Sequence, residues 1–300
     1  MQIRSFLTNY IFFNKINYIY LKLSSLIISD NRFISARYEK VFGKKLNIDN
    51  PLTFNEKIQQ RILNDKQDIY SNLTDKIKVR EYVSEKIGKE YLVELIATYS
   101  SPHDIDFESL PNEFVFKCNH DSGSVVICND KNTFNQKQSI KKLNYCINRN
   151  FYYITREKHY KSIKPYVMCE KFIGKEGKVP KDYKLHTFNS NGKSKIFIQC
   201  DSERYSGHKR NMFDENWVPQ KFNIHVYPEQ DIVEKPANLE LMKYLATRLS
   251  EGFSYVRCDF FEVDGKVFFG ELTFTPEAGV GKFNPAKWDT IFGEFWDGKF

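Results

Sequence analysis

The rhythm of hydrophobic and polar positions changes once along this chain, near residue 110. Up to about residue 100 the apolar residues recur at helical spacing. "NPLTFNEKIQQRILND" supplies a helix start, with Thr53 as cap and Glu56 three residues on forming a capping box. "LTDKIKVREYVSEKIG" repeats the arrangement, with Thr74 or Asp75 as cap and Gly88 as the stop. "SSPHDIDFESLPNE" is a polar linker with two prolines and reads as a boundary. Beyond it the alternation is that of strands. "EFVFK" and "SVVIC" flank the turn "CNHDSG", a helix is predicted over roughly 135–150, and "PYVMCEKFI" is a further strand. "YKLHTFNSNGKSKIFIQC" reads as a hairpin with Asn-Gly at its tip. A helix over 238–251 then leads to a phenylalanine-rich hairpin, "RCDFFEVDGKVFFGELTFTPEAG". The fold class is α+β: a mostly helical region 1–110, then two mostly antiparallel α+β subdomains over 111–175 and 176–300. Three hundred residues exceed what one compact core usually organises, so subdomains sharing a cleft are expected.

Composition narrows the class. Hydrophobic residues at 41% and aromatics at 16% exclude a disordered chain. The net charge of +7 is local in origin, since residues 137–184 hold thirteen Lys or Arg against four Asp or Glu. That stretch is either a solvated helix face or an electropositive wall for an anion such as a nucleotide, an acidic sugar or a nucleic acid. The six cysteines form no CxxC pair and read as small core residues of a reducing compartment. In the apolar N-terminus, Lys15 and Lys22 with Asn14 and Asn17 interrupt every span short of the ~20 residues a crossing needs. It also lacks a small-residue cleavage site. Amphipathic helices, packed on the protein or resting on a membrane surface, are expected, and the expected compartment is the cytoplasm.

Four stretches could carry chemistry. In "FVFKCNHDSGSVV", Lys117 ends an apolar strand before a loop with Gly123 between Ser122 and Ser124. An ammonium beside loop N–H groups suits a phosphate, although a strand-end lysine reaching water has the same pattern. "YVMCEKFIG" puts Glu170 and Lys171 late in a buried-looking strand, which leaves at Phe172, Ile173 and Gly174. That exit offers an apolar slot and main-chain groups for a purine, or else a solvated Glu–Lys edge. Lys184 shares a strand face with Asp182 and His186, and a lone histidine there is more often structural. Arg204, His208, Lys209 and Arg210 cluster in a turn-rich segment able to clamp a carboxylate or phosphate.

The fourth stretch is the last hairpin, where the turn decides the chemistry. With a two-residue Asp264–Gly265 turn, Val263 faces Lys266, and Asp259 and Glu271 fall on opposite faces. With a three-residue loop and Gly265 left-handed, Glu262 faces Lys266, and Asp259, Glu271 and Thr273 share a face. Magnesium takes one or two carboxylates and completes its shell with nucleotide phosphates and water. Phe260, Phe261, Phe268 and Phe269 argue against two merely solvated rim carboxylates. Two carboxylates brought together without a cation should leave one protonated at raised pKa.

In this order the pieces resemble the nucleotide site of the ATP-grasp fold. More narrowly, "NPLTFNEKIQ", "LTDKIKVREYV", "LPNEFVFKCNHDSG" and "FFGELTFTPEAG" resemble the TupA-like branch, associated with teichuronopeptide and capsular polysaccharide assembly. The likeness runs from roughly residue 36 to near the C-terminus. It implies ATP and magnesium as cofactors. Lys117 and Lys184 would contact phosphates, and Gly123 with Ser124 would lie in the loop above them. Glu170, Lys171, Phe172 and Ile173 would form the adenine and ribose hinge. Asp259 and Glu271 would bind magnesium, with Thr273 standing where the fold usually has an Asn ligand. The twelve-residue spacing from Asp259 to Glu271 is usual for that fold and favours the three-residue loop. The implied activity is ATP-dependent carboxylate–amine ligation through an acyl phosphate. Arg257, Arg204 and Arg210 are the candidates to hold the acceptor carboxylate. The implied partners are a uronic acid or amino acid, free or on a glycan, and an amine, with membrane-linked glycan assembly at the inner face as the place of any association. A sugar or glycan kinase, a glycosyltransferase-pathway protein and a basic nucleic-acid binder are the competing readings. No Asp-x-Asp pair supports the second, and the third leaves Asp259 and Glu271 unexplained.

Overall fold

The structure, a computed structural model, describes residues 14–64, 68–175, 177–203, 207–225 and 227–299. The chain forms two compact units: Met1–Lys45, Ile62–Ser71 and Leu95–Phe172 make the first, and Leu46–Arg61, Asn72–Glu94 and Ile173–Phe300 the second.

The first unit is built on an antiparallel sheet of order β1-β4-β2-β3, with β1 Leu95–Tyr99, β2 Phe114–Cys118, β3 Val126–Cys128 and β4 Val167–Lys171. Phe114, Phe116 and Cys118 alternate onto the buried face of β2, where they meet Cys169, Leu143 and Cys146. The last two belong to the helix Gln136–Ile147, which begins where Asn135 caps Gln138 N at 3.0 Å. Ile105, Phe107 and Leu110 of the proline-containing stretch enter the same core, so this segment is polar in composition but anchored by three apolar residues. All six cysteines are buried, and none is joined to another in a disulfide.

The second unit carries an antiparallel sheet of order β10-β9-β5-β6-β7: β5 Asp182–Ser190, β6 Lys193–Ser202, β7 Lys209–Asp214, β9 Tyr255–Val263 and β10 Lys266–Thr273. A small ladder pairs β8 Asn223–Ile224 with β11 Phe283–Asn284. The Asn191–Gly192 tip is a two-residue turn with both residues at positive φ, and Ser190 faces Lys193 across it as the dipeptide predicts. The helices Leu239–Leu249 and Lys287–Trp296 belong to this unit. Phe54, which opens the helix Phe54–Asn64, has the rings of Phe188, Tyr255, Phe283, Phe292 and Trp296 within 6.1 Å. The capping box is present: Thr53 N donates to Glu56 Oε2 at 3.0 Å and Glu56 N to Thr53 Oγ1 at 3.3 Å.

That helix also braces the segment after β10. Asn55 Nδ2 donates to Gly281 O at 2.8 Å, Gln59 Nε2 to Gly279 O at 2.6 Å, and Arg61 Nη1 to Phe274 O at 2.9 Å. The "NPLTFNEKIQQR" stretch thus fixes backbone carbonyls within "TPEAG" and on either side of it.

Candidate active site

In the first unit, Lys117 lies on the face of β2 opposite Phe116. Its Nζ meets Glu170 Oε2 of β4 at 2.5 Å. The strand-end lysine is therefore ion-paired, with a fifth of its side chain left exposed. The loop after β2 is pinned at its stem. Asn119 accepts from Tyr166 N at 2.7 Å, Arg149 pairs with Asp121, and Ser124 Oγ accepts from Cys118 N at 2.7 Å. Asn119, His120, Asp121 and Ser124 are buried, which leaves Ser122 and Gly123 as the exposed tip. Gly123 sits at φ 86°, with open space where a Cβ would stand. Lys171 is the last paired residue of β4 and is exposed, Phe172 is buried, and the chain passes into the second unit at Ile173.

In the second unit the hairpin corrects the expected register. Val263 pairs with Lys266 across a two-residue Asp264–Gly265 turn, both residues at positive φ, so the three-residue loop is not formed. By that turn alone Asp259 and Glu271 would face apart. A bulge intervenes: Phe269 pairs with Phe260, Gly270 is skipped, and Glu271 pairs with Asp259. Asp259 and Glu271 therefore share a face, and Thr273 opposite Arg257 joins them. A Cβ on Gly270 would stand 3.1 Å from Asp259 O and 3.2 Å from the Phe261 ring, so the bulge has little room for a side chain.

Register carries the charges across the sheet. Glu271 lies opposite Asp259, Asp259 opposite Lys184, and Lys184 opposite Gln199. In the neighbouring row Asp182 faces Asp201, and Asp201 faces Arg210. Alternation along each strand puts both rows on one face. Lys184 Nζ meets Asp182 Oδ2 at 2.5 Å and Asp259 Oδ2 at 2.6 Å. Arg257 grips Asp259 through Nε at 2.7 Å and Nη2 at 2.8 Å, and Nη2 also reaches Glu271 Oε1 and Thr273 Oγ1, each at 3.1 Å. Burial works against the Arg257 charge, but Asp259 and Glu271 more than offset it and raise its pKa well above the ordinary value. Burial drives the Asp259 carboxyl above its usual range, and Asp182 and Glu271 add to this against Arg257 and Lys184. The raised carboxyl is in the expected direction, but desolvation is the larger cause and Glu271 a smaller one.

Arg210 is occupied elsewhere. It is buried, pairs with Asp201 through Nε at 2.7 Å and Nη2 at 3.1 Å, and donates from Nη1 to Ile224 O at 2.7 Å. These bonds hold β7 to β6 and to β8, so Arg210 is not clustered with Arg257, Asp259 and Glu271. Arg204 lies outside the described residues. His186 is buried, its Nδ1 2.9 Å from the Tyr255 hydroxyl, and burial lowers its pKa to about 3. It is a neutral core residue.

Two groups escaped sequence reasoning. Asp201 gives no signal beyond alternation in "QCDS". Glu277 lies just past β10, where it and Ala278 both have positive φ, and it pairs with His225 at 3.3 Å. Glu277, Arg257, Asn55, Gln199 and His186 line a small cavity of this unit. Nothing in "TPEAG" announces that backbone.

The donor set can be tested against magnesium. Among the described residues no cluster of three or more His, Cys, Asp and Glu is arranged to hold a metal by itself. Two carboxylates and a hydroxyl on one face are what a magnesium ion uses when phosphates and water complete its shell. Around Lys184 and Arg257 stand the three carboxylates Asp182, Asp259 and Glu271, one more than the cations. The residues fit a cation shared with phosphate oxygens.

No curated protein sequence matches the chain. Among solved structures it is similar to D-alanine–D-alanine ligase of Helicobacter pylori, at 16% identity and a TM-score of 0.44, covering 76% of this chain and 61% of that one. It is also similar to D-alanine–D-alanine ligase of Bacillus anthracis, at 17% identity and a TM-score of 0.42, covering 75% and 64%. A third similar structure is the ATP-grasp ligase PsnB complexed with minimal precursor, at 10% identity and a TM-score of 0.39, covering 77% and 61%. The chain thus spans less than two thirds of the length of each of these three. The profile of the TupA-like ATPgrasp family matches residues 56–296, from Glu56 of the capping box to Trp296, and this chain belongs to that family and has its ATP-grasp fold.

Proposed function

We propose that this protein is an ATP-dependent carboxylate–amine ligase that modifies a uronic acid or amino acid of a bacterial surface or capsular polysaccharide. The observation that carries the reading is the Lys184–Asp259–Arg257–Glu271 network, set on one sheet face by the Gly270 bulge in a chain of the TupA-like ATP-grasp family. In such ligation the substrate carboxylate becomes an acyl phosphate, and an amine then displaces phosphate to leave an amide.

The chain's own residues have distinct parts. Asp259 and Glu271, with Thr273 beside them, would hold magnesium, which offsets negative charge on the phosphates. Lys184 is held by Asp182 and Asp259 with its ammonium fixed, so it offers a preorganised charge at little reorganisation cost. Lys117, paired with Glu170, serves the phosphates as a partly exposed charge. Arg257, gripping Asp259 and Glu271 beside the magnesium position, would orient the substrate carboxylate. Arg210, bound to Asp201 and a main-chain carbonyl, supports that wall and does not itself clamp substrate.

The test is ADP release by the purified protein, screened over uronic acids and amino acids with an amine present, with mass analysis of the product. Ligation predicts an amide, and a hydroxamate when hydroxylamine replaces the amine. A phosphate ester would assign a kinase instead, and no ADP release with any carboxylate would overturn the reading.

A further inference from the structure

The segment 14–28 presents an apolar stripe that the nucleotide chemistry does not use. Residues 14–24 are helical, and the turn continues to Ile28, whose N–H donates to Ser24 O at 2.8 Å. One side of this helix is fastened to the first unit. Asn150 N donates to the Tyr18 hydroxyl at 2.9 Å, the Tyr18 and Tyr153 rings meet edge-on at 6.2 Å, and Ser24 is buried. Away from that side stand Ile16, Ile19, Tyr20, Leu23, Leu26 and Ile27. Their steps of three and four residues set them along one stripe. Leu26 is 81% exposed and Ile27 89%. Of the eleven large hydrophobic residues exposed among the described residues, these are six, so the apolar surface is gathered here and not scattered.

Charge indicates what covers it. Lys15 and Lys22 are exposed and seven residues apart, two turns of helix, so they stand along one edge of the stripe. Residues 1–29 contain Arg4, Lys15 and Lys22 and no Asp or Glu. A second copy is a poor occupant on this pattern. Antiparallel pairing would set the lysine edge against itself, and parallel pairing would offer it no acid. An anionic bilayer satisfies both halves, with acyl chains for the stripe, lipid phosphates for the lysines and the interfacial zone for Tyr20. Among the described residues no helix is long and apolar enough to cross a membrane, so the helix would lie along the surface.

We propose that segment 14–28 docks the first unit on a bilayer surface rich in anionic phospholipid. The proposal stands independently of the ligase reading. Its test is co-sedimentation of the full chain with phosphatidylcholine vesicles, with and without phosphatidylglycerol, at low and physiological salt. Binding is expected to the mixed vesicles, to weaken with salt, and to be at least tenfold weaker on phosphatidylcholine alone. Lys15→Ala and Lys22→Ala should each weaken it about fivefold. The double variant Leu26→Glu, Ile27→Glu should abolish it while leaving the thermal melt and ADP release in solution unchanged, because both side chains are exposed. Absence of binding to the mixed vesicles would overturn the proposal, as would undiminished binding by the double glutamate variant. A concentration-dependent dimer lost in that variant, without vesicle binding, would overturn it in favour of a second copy.

Discussion

Lys117 in the first unit and Lys184 in the second are both strand lysines paired with carboxylates, yet their settings differ. Lys117 meets Glu170 and keeps part of its side chain in water. Lys184 is buried between Asp182 and Asp259, and Asp259 is in turn gripped by Arg257. Glu170 is buried but Lys117 reaches water, so solvent can approach that pair when one partner is lost, whereas loss of a partner inside the Lys184 network leaves a charge with no such access. The same residue types therefore divide into a replaceable charge and a structural one.

The largest expected effect comes from breaking the buried network. Arg257→Met leaves buried Asp259 with only Lys184, which Asp182 also shares, and should cost about 3–5 kcal/mol in stability, read by urea denaturation. A loss below about 1 kcal/mol would mean that water reaches the network and that the contrast with Lys117 is false. Next is the bulge. Gly270→Val places a branched side chain against Asp259 O and the Phe261 ring and should cost about 1–3 kcal/mol. Because strand register is at stake, turnover should fall further than stability. Normal turnover in that variant would show that the shared face of Asp259 and Glu271 does not matter.

His186 sharpens the comparison through pH. Its folded-state pKa of about 3 lies below the ordinary 6.5, so between these values the unfolded chain binds a proton that the native state refuses. Its contribution to stability is therefore lost as pH falls from about 6.5, by about 1.4 kcal/mol per pH unit at most. His186→Phe should flatten that part of the stability profile, and an unchanged profile would remove the neutral core role. The smallest stability effect is expected from Lys117→Ala, about 1–2 kcal/mol, because Glu170 is buried but water can enter where Lys117 stood. Magnesium-ATP affinity should nonetheless drop about tenfold in a titration, because the role is electrostatic. Unchanged affinity would take Lys117 out of the site.

Much of this was legible in the chain because the signals are local. The Thr53–Glu56 box and the Asn191–Gly192 turn each depend on a few adjacent residues, and both form as expected. Asp259 with Glu271 was legible as a pair but not in its geometry. The Asp264–Gly265 turn is the two-residue kind, and the shared face comes from Gly270, five residues further on. A bulge is settled by what the partner strand places opposite, which a single strand does not show. Arg210 illustrates the other limit. Its partner Asp201 lies on the neighbouring strand and Ile224 on a further one, so in sequence it looked like a free cation in a turn-rich segment.

The central claim is that the bulge converges Asp259 and Glu271 on magnesium bound to nucleotide phosphates. Titration of ATP into the wild-type chain and Glu271→Gln, each with and without magnesium, tests it most directly. Glu271 is 40% exposed, so the variant should keep its melting temperature within the range of a surface change. The account predicts tight magnesium-dependent ATP binding by the wild type, and loss of that magnesium dependence together with ADP release in the variant. A correctly folded Glu271→Gln protein that binds magnesium-ATP and releases ADP like the wild type would contradict it.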